Sequence, residues 1–179
     1  MHSMQKNPDP RSVRFFSNHI YWSLLPVTLV VLLDEFLKYN GLNKLPTEGT
    51  FVNQGILQFA IHQNWGIAFD IPFKLEFVIF LSVLIGLGLM HAAYKNWKRR
   101  PDITVATLII LIGAMGNLYD RIAYGFTVDY IILFQRSAIN LSDIIIVTGV
   151  LCLLLQSRRA SKNTTSSQPI DKKSEKTLS

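Results

Sequence analysis

Four apolar stretches alternate with polar segments along the chain, and they cover residues 20–37, 73–93, 103–119 and 138–155. An α-helix rises about 1.5 Å per residue, so each stretch is close to the length that crosses a hydrocarbon core of about 30 Å. Polar segments precede, separate and follow these stretches over residues 1–19, 39–72 and 157–179. The pattern predicts an all-α membrane protein with a leader, a four-helix membrane domain over residues 20–156 and a disordered tail.

The first apolar stretch has two interpretations. A basic start followed by an apolar run is typical of a cleaved signal peptide as well as of a membrane anchor. No small-residue cleavage site follows here, because Asp34, Glu35 and Lys38 come next. We therefore expect a retained transmembrane helix, in which Asp34 and Lys38 lie four residues apart on one face and can pair.

The connection over residues 39–72 contains a strand pattern. Apolar and polar side chains alternate over residues 57–62, which favours a β-strand with one apolar face. We expect a small extracytoplasmic sheet on the membrane surface, because Lys44 is the only basic residue of this connection before Lys74. His62 has no further ligand at metal-binding spacing, and we interpret it as an ordinary surface histidine.

Glycines interrupt the second and third apolar stretches at Gly86, Gly88, Gly113 and Gly116. Small residues let membrane helices approach closely, so these positions predict helix–helix contacts. Gly125 is expected to end the third helix, which would place Asp129 in the loop that follows. We expect a short loop or helix at the outer face between the third and fourth spans.

The basic residues predict the orientation of the chain. The net charge is +6, but the Lys and Arg residues concentrate beside the apolar stretches, within residues 6–14, 95–100 and 158–162. This distribution is typical of cytoplasmic loops, and it argues against nucleic-acid binding. Both termini are therefore expected in the cytoplasm. The single cysteine, Cys152, excludes an internal disulfide.

The segment between residues 116 and 143 concentrates polar side chains at the predicted outer face. It contains three aspartates, two asparagines and two arginines between apolar stretches. Charge within a membrane span costs about 2.5–3.5 kcal/mol per residue, so a functional reason is expected. Two carboxylates held close together, here Asp129 and Asp143, share a proton, and such a pair can activate water and protonate a leaving amine. We therefore expect peptide-bond hydrolysis.

Other interpretations of these acids remain open. Buried carboxylates also mark ion pathways, so a small transporter or a proton-relay protein is the alternative function. Asp129 taken alone could be a solvated loop residue. Asp120 is next to Arg121, and we interpret these two as an ion pair.

The arrangement resembles lipoprotein signal peptidase, also called signal peptidase II, over about residues 20–156. The motifs of that family occur here in order: Asp34-x-x-x-Lys38, Asn64-x-Gly66-x-Ala68-Phe69, Gly116-Asn117-x-x-Asp120-Arg121, Gly125-x-x-Val128-Asp129 and Asn140-x-x-Asp143. Each motif is weak by itself, but their order on a chain with four apolar stretches is specific.

The resemblance implies an intramembrane aspartyl endopeptidase that needs no metal or other cofactor. Its substrates would be diacylglyceryl-modified prolipoproteins, cleaved on the amino side of the lipidated cysteine at the extracytoplasmic face of the bacterial inner membrane. Asp129 and Asp143 match the catalytic pair. Positions that line or support the site are Asn64, Asn117, Arg121 and Asn140, and positions of structural support are Asp34, Lys38, Gly66 and Asp120. We expect a monomer whose partners are these substrates and membrane lipids.

The chain departs from the usual family pattern at four positions. Ile67 stands where alanine is common and Asp70 where glycine is common, which could alter how substrate is admitted. Tyr130 replaces a usual phenylalanine, and Ser142 replaces a usual alanine. None of these changes removes a catalytic group, so an active enzyme is expected.

Overall fold

The computed structural model describes residues 21–47, 56–67, 71–134 and 137–165. Its four long helices are α1 (Leu24–Lys44), α2 (Leu75–Asn96), α3 (Pro101–Tyr124) and α4 (Leu141–Thr165). Each of these helices overlaps one of the four predicted apolar stretches, with different ends. The predicted leader, residues 1–19, lies outside the described residues, as do Ala68, Phe69 and Asp70.

Helix α3 is the centre of the bundle, because it packs against each of the other three helices. The bundle buries several charged and polar side chains and exposes many large apolar ones. In α1, for example, Asp34 and Lys38 are fully buried, whereas Leu32 and Phe36 are exposed. Such an exterior suits hydrocarbon surroundings, where exposed apolar side chains cost nothing and polar groups must find partners inside the protein.

Within the described part of the chain, two helices, α2 and α3, are long and apolar enough to cross a membrane by length and composition. The apolar part of α4, Leu141–Ser157, is shorter. Helix α1 has 21 residues and is of sufficient length, but it includes Asp34, Glu35 and Lys38. The buried charges of α1 thus separate it from an ordinary apolar span.

A small antiparallel sheet joins the ends of the helices. It has the order β1 (Leu57–Asn64), β4 (Thr127–Leu133), β5 (Ser137–Ile139), and a separate pair consists of β2 (Gly66–Ile67) and β3 (Ile71–Pro72). Strand β1 confirms the predicted strand and extends it by two residues.

The prediction that Asp129 lies in a loop was wrong. Helix α3 does end before Gly125, whose φ of 85° is the left-handed conformation that glycine adopts readily. The following residues form β4, and Asp129 pairs with His62 of β1. Valine, isoleucine, threonine and tyrosine make up most of β4, and these residues favour strands. The connection to α4 therefore contains two strands in place of the expected outer loop or helix.

The fourth helix is longer than its apolar stretch. It continues to Thr165, so the first residues of the segment predicted to be disordered are helical, and residues 166–179 lie outside the described part. The added residues include arginine, alanine and lysine, which are good helix formers, and basic side chains are favourable near a helix C-terminus.

Close helix packing is realised at Gly113 and Gly116 but not at Gly88. A Cβ atom added at Gly113 would lie 2.9 Å from the Ser142 carbonyl oxygen and 2.9 Å from Ile146 of α4. A Cβ atom at Gly88 would meet nothing within 4 Å, so the predicted contact there was wrong. A Cβ atom at Gly86 would make only ordinary contact.

These distances predict different effects for two equivalent substitutions. Gly113→Ala is expected to destabilise the fold by about 1–3 kcal/mol, because backbone as well as side-chain atoms of α4 must shift. Gly88→Ala is the matched control, and it should be neutral or slightly stabilising because alanine favours helix. Thermal unfolding in detergent measures both. Equal unfolding temperatures for the two variants would contradict the packing described here.

Candidate active site

Asp129 and its neighbour Tyr130 point to opposite faces of β4, because side chains alternate along a strand. Val128 and Tyr130 are buried in an apolar cluster with Ile61 and Phe126. Asp129 is on the other face of β4, together with Thr127, and both line a cavity. The strand therefore directs the carboxylate of Asp129 toward this cavity, and Asp129 is only 1% exposed.

Asp143 is positioned by the start of α4. Asn140 precedes the helix, and its side-chain oxygen accepts a hydrogen bond from the Asp143 backbone N–H at 2.9 Å. In return, Asp143 Oδ2 accepts a hydrogen bond from the Asn140 backbone N–H at 3.2 Å. This reciprocal arrangement is a capping box, and it fixes the orientation of the Asp143 carboxylate. Asp143 thus lies on the first turn of α4.

Asn140 also connects the two aspartates. Its side-chain amide donates to Asp129 Oδ1 at 2.7 Å. The same residue caps the helix turn that carries Asp143, so one buried amide sets the position of both carboxylates. The structure thus brings together two acids that are 14 residues apart in sequence, on a strand and on a helix.

Two further asparagines bond the carboxylate oxygens of the pair that Asn140 does not contact. Asn64 donates to Asp129 Oδ2 at 3.0 Å, and its own oxygen accepts from the Gly66 N–H at 3.1 Å. Asn117 donates to Asp143 Oδ1 at 2.7 Å. An ammonium group can only donate, so Lys38 faces the Asn117 oxygen, at 3.5 Å, and the Asn117 amide nitrogen faces Asp143.

Arg121 lies beside the pair. Its guanidinium donates to the Gly66 carbonyl oxygen at 3.3 Å and to the Asn117 carbonyl oxygen at 3.3 Å. It is close enough to both Asp129 and Asp143 to interact with their charges. Arg121 therefore links α3 to β2 and supplies positive charge at the edge of the site.

One cavity of about 490 Å³ is lined by both aspartates. Its polar wall includes Asn64, Asn117, Arg121, Thr127 and Ser137. Its apolar wall comes from α2, α3, α4 and β5, through Ile85, Ala114, Ile139, Ile146 and Val147. The site therefore combines acids with a surface suited to hydrocarbon.

The protonation of Asp129 is strongly perturbed. The pKa of Asp129 is raised to about 7, chiefly by burial and secondly by the negative charge of Asp143. Hydrogen bonds from Asn64 and Asn140 and the charge of His62 act in the opposite direction. Asp129 thus holds a proton in a pH range in which an exposed aspartate would be ionised.

Beneath the site, a buried cluster of charges joins α1 to α3. Lys38 Nζ lies 3.0 Å from Asp34, 2.8 Å from Asp120 and 3.1 Å from Glu35. The prediction that Asp34 and Lys38 pair is confirmed. The interpretation of Asp120 and Arg121 as an ion pair was wrong, because Asp120 bonds Lys38 and the Val128 N–H, at 3.1 Å. Adjacent residues on a helix point in different directions, so Asp120 faces inward and Arg121 faces the cavity.

Sequence reasoning missed several residues near the site. His62 is half-buried and lies opposite Asp129, and it is not the surface histidine that was expected. Its place in a strand that pairs with the Asp129 strand was not visible from spacing. Glu35 joins the buried cluster, although only the family positions Asp34 and Lys38 were singled out.

The family model described as signal peptidase (SPase) II matches residues 27–159. The chain belongs to the signal peptidase II family. A lipoprotein signal peptidase of Syntrophomonas wolfei is 35% identical over 142 residues, covering 75% of this chain and 94% of that protein. A lipoprotein signal peptidase of Trichormus variabilis is 31% identical, covering 82% and 94%.

The fold agrees with this membership. A solved structure of a bacterial membrane enzyme has a TM-score of 0.67 and 23% identity, covering 88% of this chain and 94% of that one. The chain is thus a peptidase of the signal peptidase II type, and its apolar exterior is that of an integral membrane enzyme.

Proposed function

We propose that this chain is an aspartyl endopeptidase that removes signal peptides from diacylglyceryl-modified prolipoproteins, with Asp129 and Asp143 as its catalytic pair. One observation carries the proposal: both carboxylates line one cavity and are held there by the same buried residue, Asn140. The names of the relatives, lipoprotein signal peptidases, supply the substrate class.

The pair can hydrolyse a peptide bond with one shared proton. The ionised carboxylate takes a proton from a water molecule as the water oxygen attacks the scissile carbonyl carbon. The protonated carboxyl then gives its proton to the departing amine nitrogen as the C–N bond breaks. The proton taken from water restores the pair. Because both acids titrate together, acid and base roles belong to the pair.

The two walls of the cavity suit a lipidated substrate. The apolar wall can hold acyl chains next to the bilayer, while the polar wall meets the peptide bond. Arg121 and Asn64 line the cavity and are assigned to substrate contact, and Gly66 supports both through hydrogen bonds. The supporting roles of Asn117 and Asn140 follow from their bonds to the acids.

The membrane arrangement is part of the same proposal. All four helices cross the bilayer, with α1 tolerated because its charges are buried and paired. The basic clusters over residues 95–100 and 158–162 support a cytoplasmic location for the helix ends beside them. The acid pair then lies at the extracytoplasmic face. The monomeric state and the absence of a cofactor stay predictions.

Reconstitution in vesicles tests the function. The purified full chain is mixed with a diacylglyceryl-modified prolipoprotein, and with the same precursor in unlipidated form as a control. We expect a product that begins at the lipidated cysteine, identified by mass spectrometry, from the first precursor only. A transporter or proton relay would instead move solute or charge and leave both precursors intact, and that result would reject the proposal.

The pKa of Asp129 predicts how activity depends on pH. A raised carboxyl pKa means that the proton is held below about pH 7 and lost above it. Because hydrolysis needs one proton on the pair, kcat/KM should fall about tenfold per pH unit as the pH rises beyond about 7.

The fall of kcat/KM at alkaline pH, the alkaline limb, needs a control because other charged groups face Asp129. These groups are His62, Arg121 and Asp143. The variant His62→Gln should keep the alkaline limb, shifted if at all to higher pH, since a positive charge is lost. A wild-type profile that stays flat to pH 9 in folded enzyme would contradict the assignment to the acid pair.

A further inference from the structure

Two hydroxyl side chains from different elements converge on one buried carboxylate. The Tyr130 hydroxyl donates to Asp34 Oδ1 at 2.8 Å, and the Ser142 hydroxyl donates to Asp34 Oδ2 at 2.6 Å. A phenylalanine or an alanine at these positions could make neither bond. The three residues come from β4, α4 and α1, and Asp34 and Ser142 are fully buried.

Each of these hydroxyl residues is the direct neighbour of a proposed catalytic aspartate. Tyr130 follows Asp129 on β4, and strand alternation turns one side chain to Asp34 and the other to the cavity. Ser142 precedes Asp143 on the first turn of α4, where adjacent side chains also point in different directions. Asp34 is therefore bonded to both elements that carry the acids, from the side away from the cavity.

The same carboxylate also docks the start of α4. Asp34 Oδ1 accepts from the Leu141 N–H at 3.0 Å, and Asp34 Oδ2 accepts from the Ser142 N–H at 3.2 Å. A carboxylate at a helix N-terminus interacts favourably with the unpaired N–H groups there. Lys38, 3.0 Å from Asp34 Oδ2, balances its charge. Rotation of Asp34 is thus restricted independently of the two hydroxyls.

The Tyr130 hydroxyl stays a donor at every pH at which the enzyme works. Burial raises the pKa of Tyr130, and so does the nearby negative charge of Asp34. A short hydrogen bond from a hydroxyl group to a carboxylate is among the stronger hydrogen bonds of proteins. Tyr130 therefore keeps its proton in the pH range in which Asp129 loses one.

We infer that Tyr130 and Ser142 are positioning residues, which use Asp34 as a common anchor to fix the distance between the strand that carries Asp129 and the helix turn that carries Asp143. Neither touches the substrate. The inference deepens the proposed function and rests on it, since the positioned groups are the proposed catalytic pair.

The test compares Tyr130→Phe, Ser142→Ala and the double variant with wild type, each of which deletes only hydroxyl oxygens. We expect a kcat lower by about threefold to tenfold in each single variant, with little change in KM, because small misplacements of catalytic groups are costly. The two effects should not multiply in the double variant, because both bonds serve one anchor. If the double variant does not fold, the single variants carry the test.

A second measurement separates positioning from mere stability. If the acids move apart, the charge of Asp143 raises the pKa of Asp129 less, so the alkaline limb of kcat/KM should move to lower pH. A variant that is only less stable keeps the wild-type limb once folded. Two control variants remove a hydroxyl group elsewhere. Thr148→Val removes one that bonds Ile144 of the same helix, and Tyr119→Phe removes one from an exposed side chain.

The outcomes are distinct. Lower kcat together with a shifted limb supports the inference. Unchanged kcat and an unchanged limb, with or without a lower unfolding temperature, would overturn it while leaving the proposed function intact. If the wild-type chain cleaves no lipidated precursor, the proposed function fails, and the positioning roles fail with it.

Discussion

Replacing either Asp129 or Asp143 with asparagine is expected to abolish cleavage of a lipidated precursor, with a loss of about 10³-fold or more in kcat. The amide has nearly the shape of the carboxyl, but it can neither take a proton from water nor give one to the leaving amine. Loss of general acid–base catalysis alone costs about 10²–10⁴-fold, and here one pair supplies both functions. Processing is measured by the mass change of the precursor in vesicles.

A control aspartate shows whether the effect belongs to the site. Asp102 is 38% exposed and pairs with Arg100 at the opposite end of α3, so Asp102→Asn should cleave at the wild-type rate. Both site variants should also unfold at temperatures near that of wild type or remain folded at the assay temperature. Cleavage retained by Asp129→Asn and Asp143→Asn would rule out the acid pair.

Lys38→Met is expected to cause the largest loss of stability, about 3–5 kcal/mol. Lys38 is fully buried, and its ammonium group contacts the carboxylates of Asp34, Glu35 and Asp120. Methionine fills a similar volume but leaves these acids without their cation, and an uncompensated buried charge is costly. We expect an unfolding temperature lower by on the order of 10 °C, measured in detergent.

A control lysine and a double variant test whether this loss of stability comes from the buried charges. Lys44 is exposed in the last turn of the same helix, so Lys44→Met should have little effect. Adding Asp120→Asn to Lys38→Met removes one of the unpaired charges, and the double variant should be more stable than Lys38→Met. Equal stability of Lys38→Met and wild type would contradict a buried ion cluster.

The local pattern of the sequence was sufficient for the helices and for one pairing within a helix. Apolar length predicted α1 to α4, and the four-residue spacing of Asp34 and Lys38 predicted their contact, because both depend on neighbours along one helix. The ends were less certain. Polar residues 156–165 continue α4, because residues that favour a helix extend beyond the apolar stretch.

The strand that carries Asp129 could not be placed in this way. Residues 127–133 become a strand because β1 pairs with them, and the two segments are more than 60 residues apart along the chain. Gly88 gave the same signal as Gly113 for close packing, yet only Gly113 faces another helix closely. Which face of a helix meets a neighbour depends on the assembled bundle.

By itself, the sequence determined that this is a membrane-type helical chain with acids concentrated between its last two apolar stretches, and its ordered motifs identified the family. Only the tertiary structure decided how those acids are held. The bond from Tyr130 to Asp34 joins residues 96 positions apart, and the ion pair of Lys38 with Asp120 joins α1 to α3. Such contacts depend on the packing of separate elements, whereas periodicity reports only what neighbouring residues along one element share.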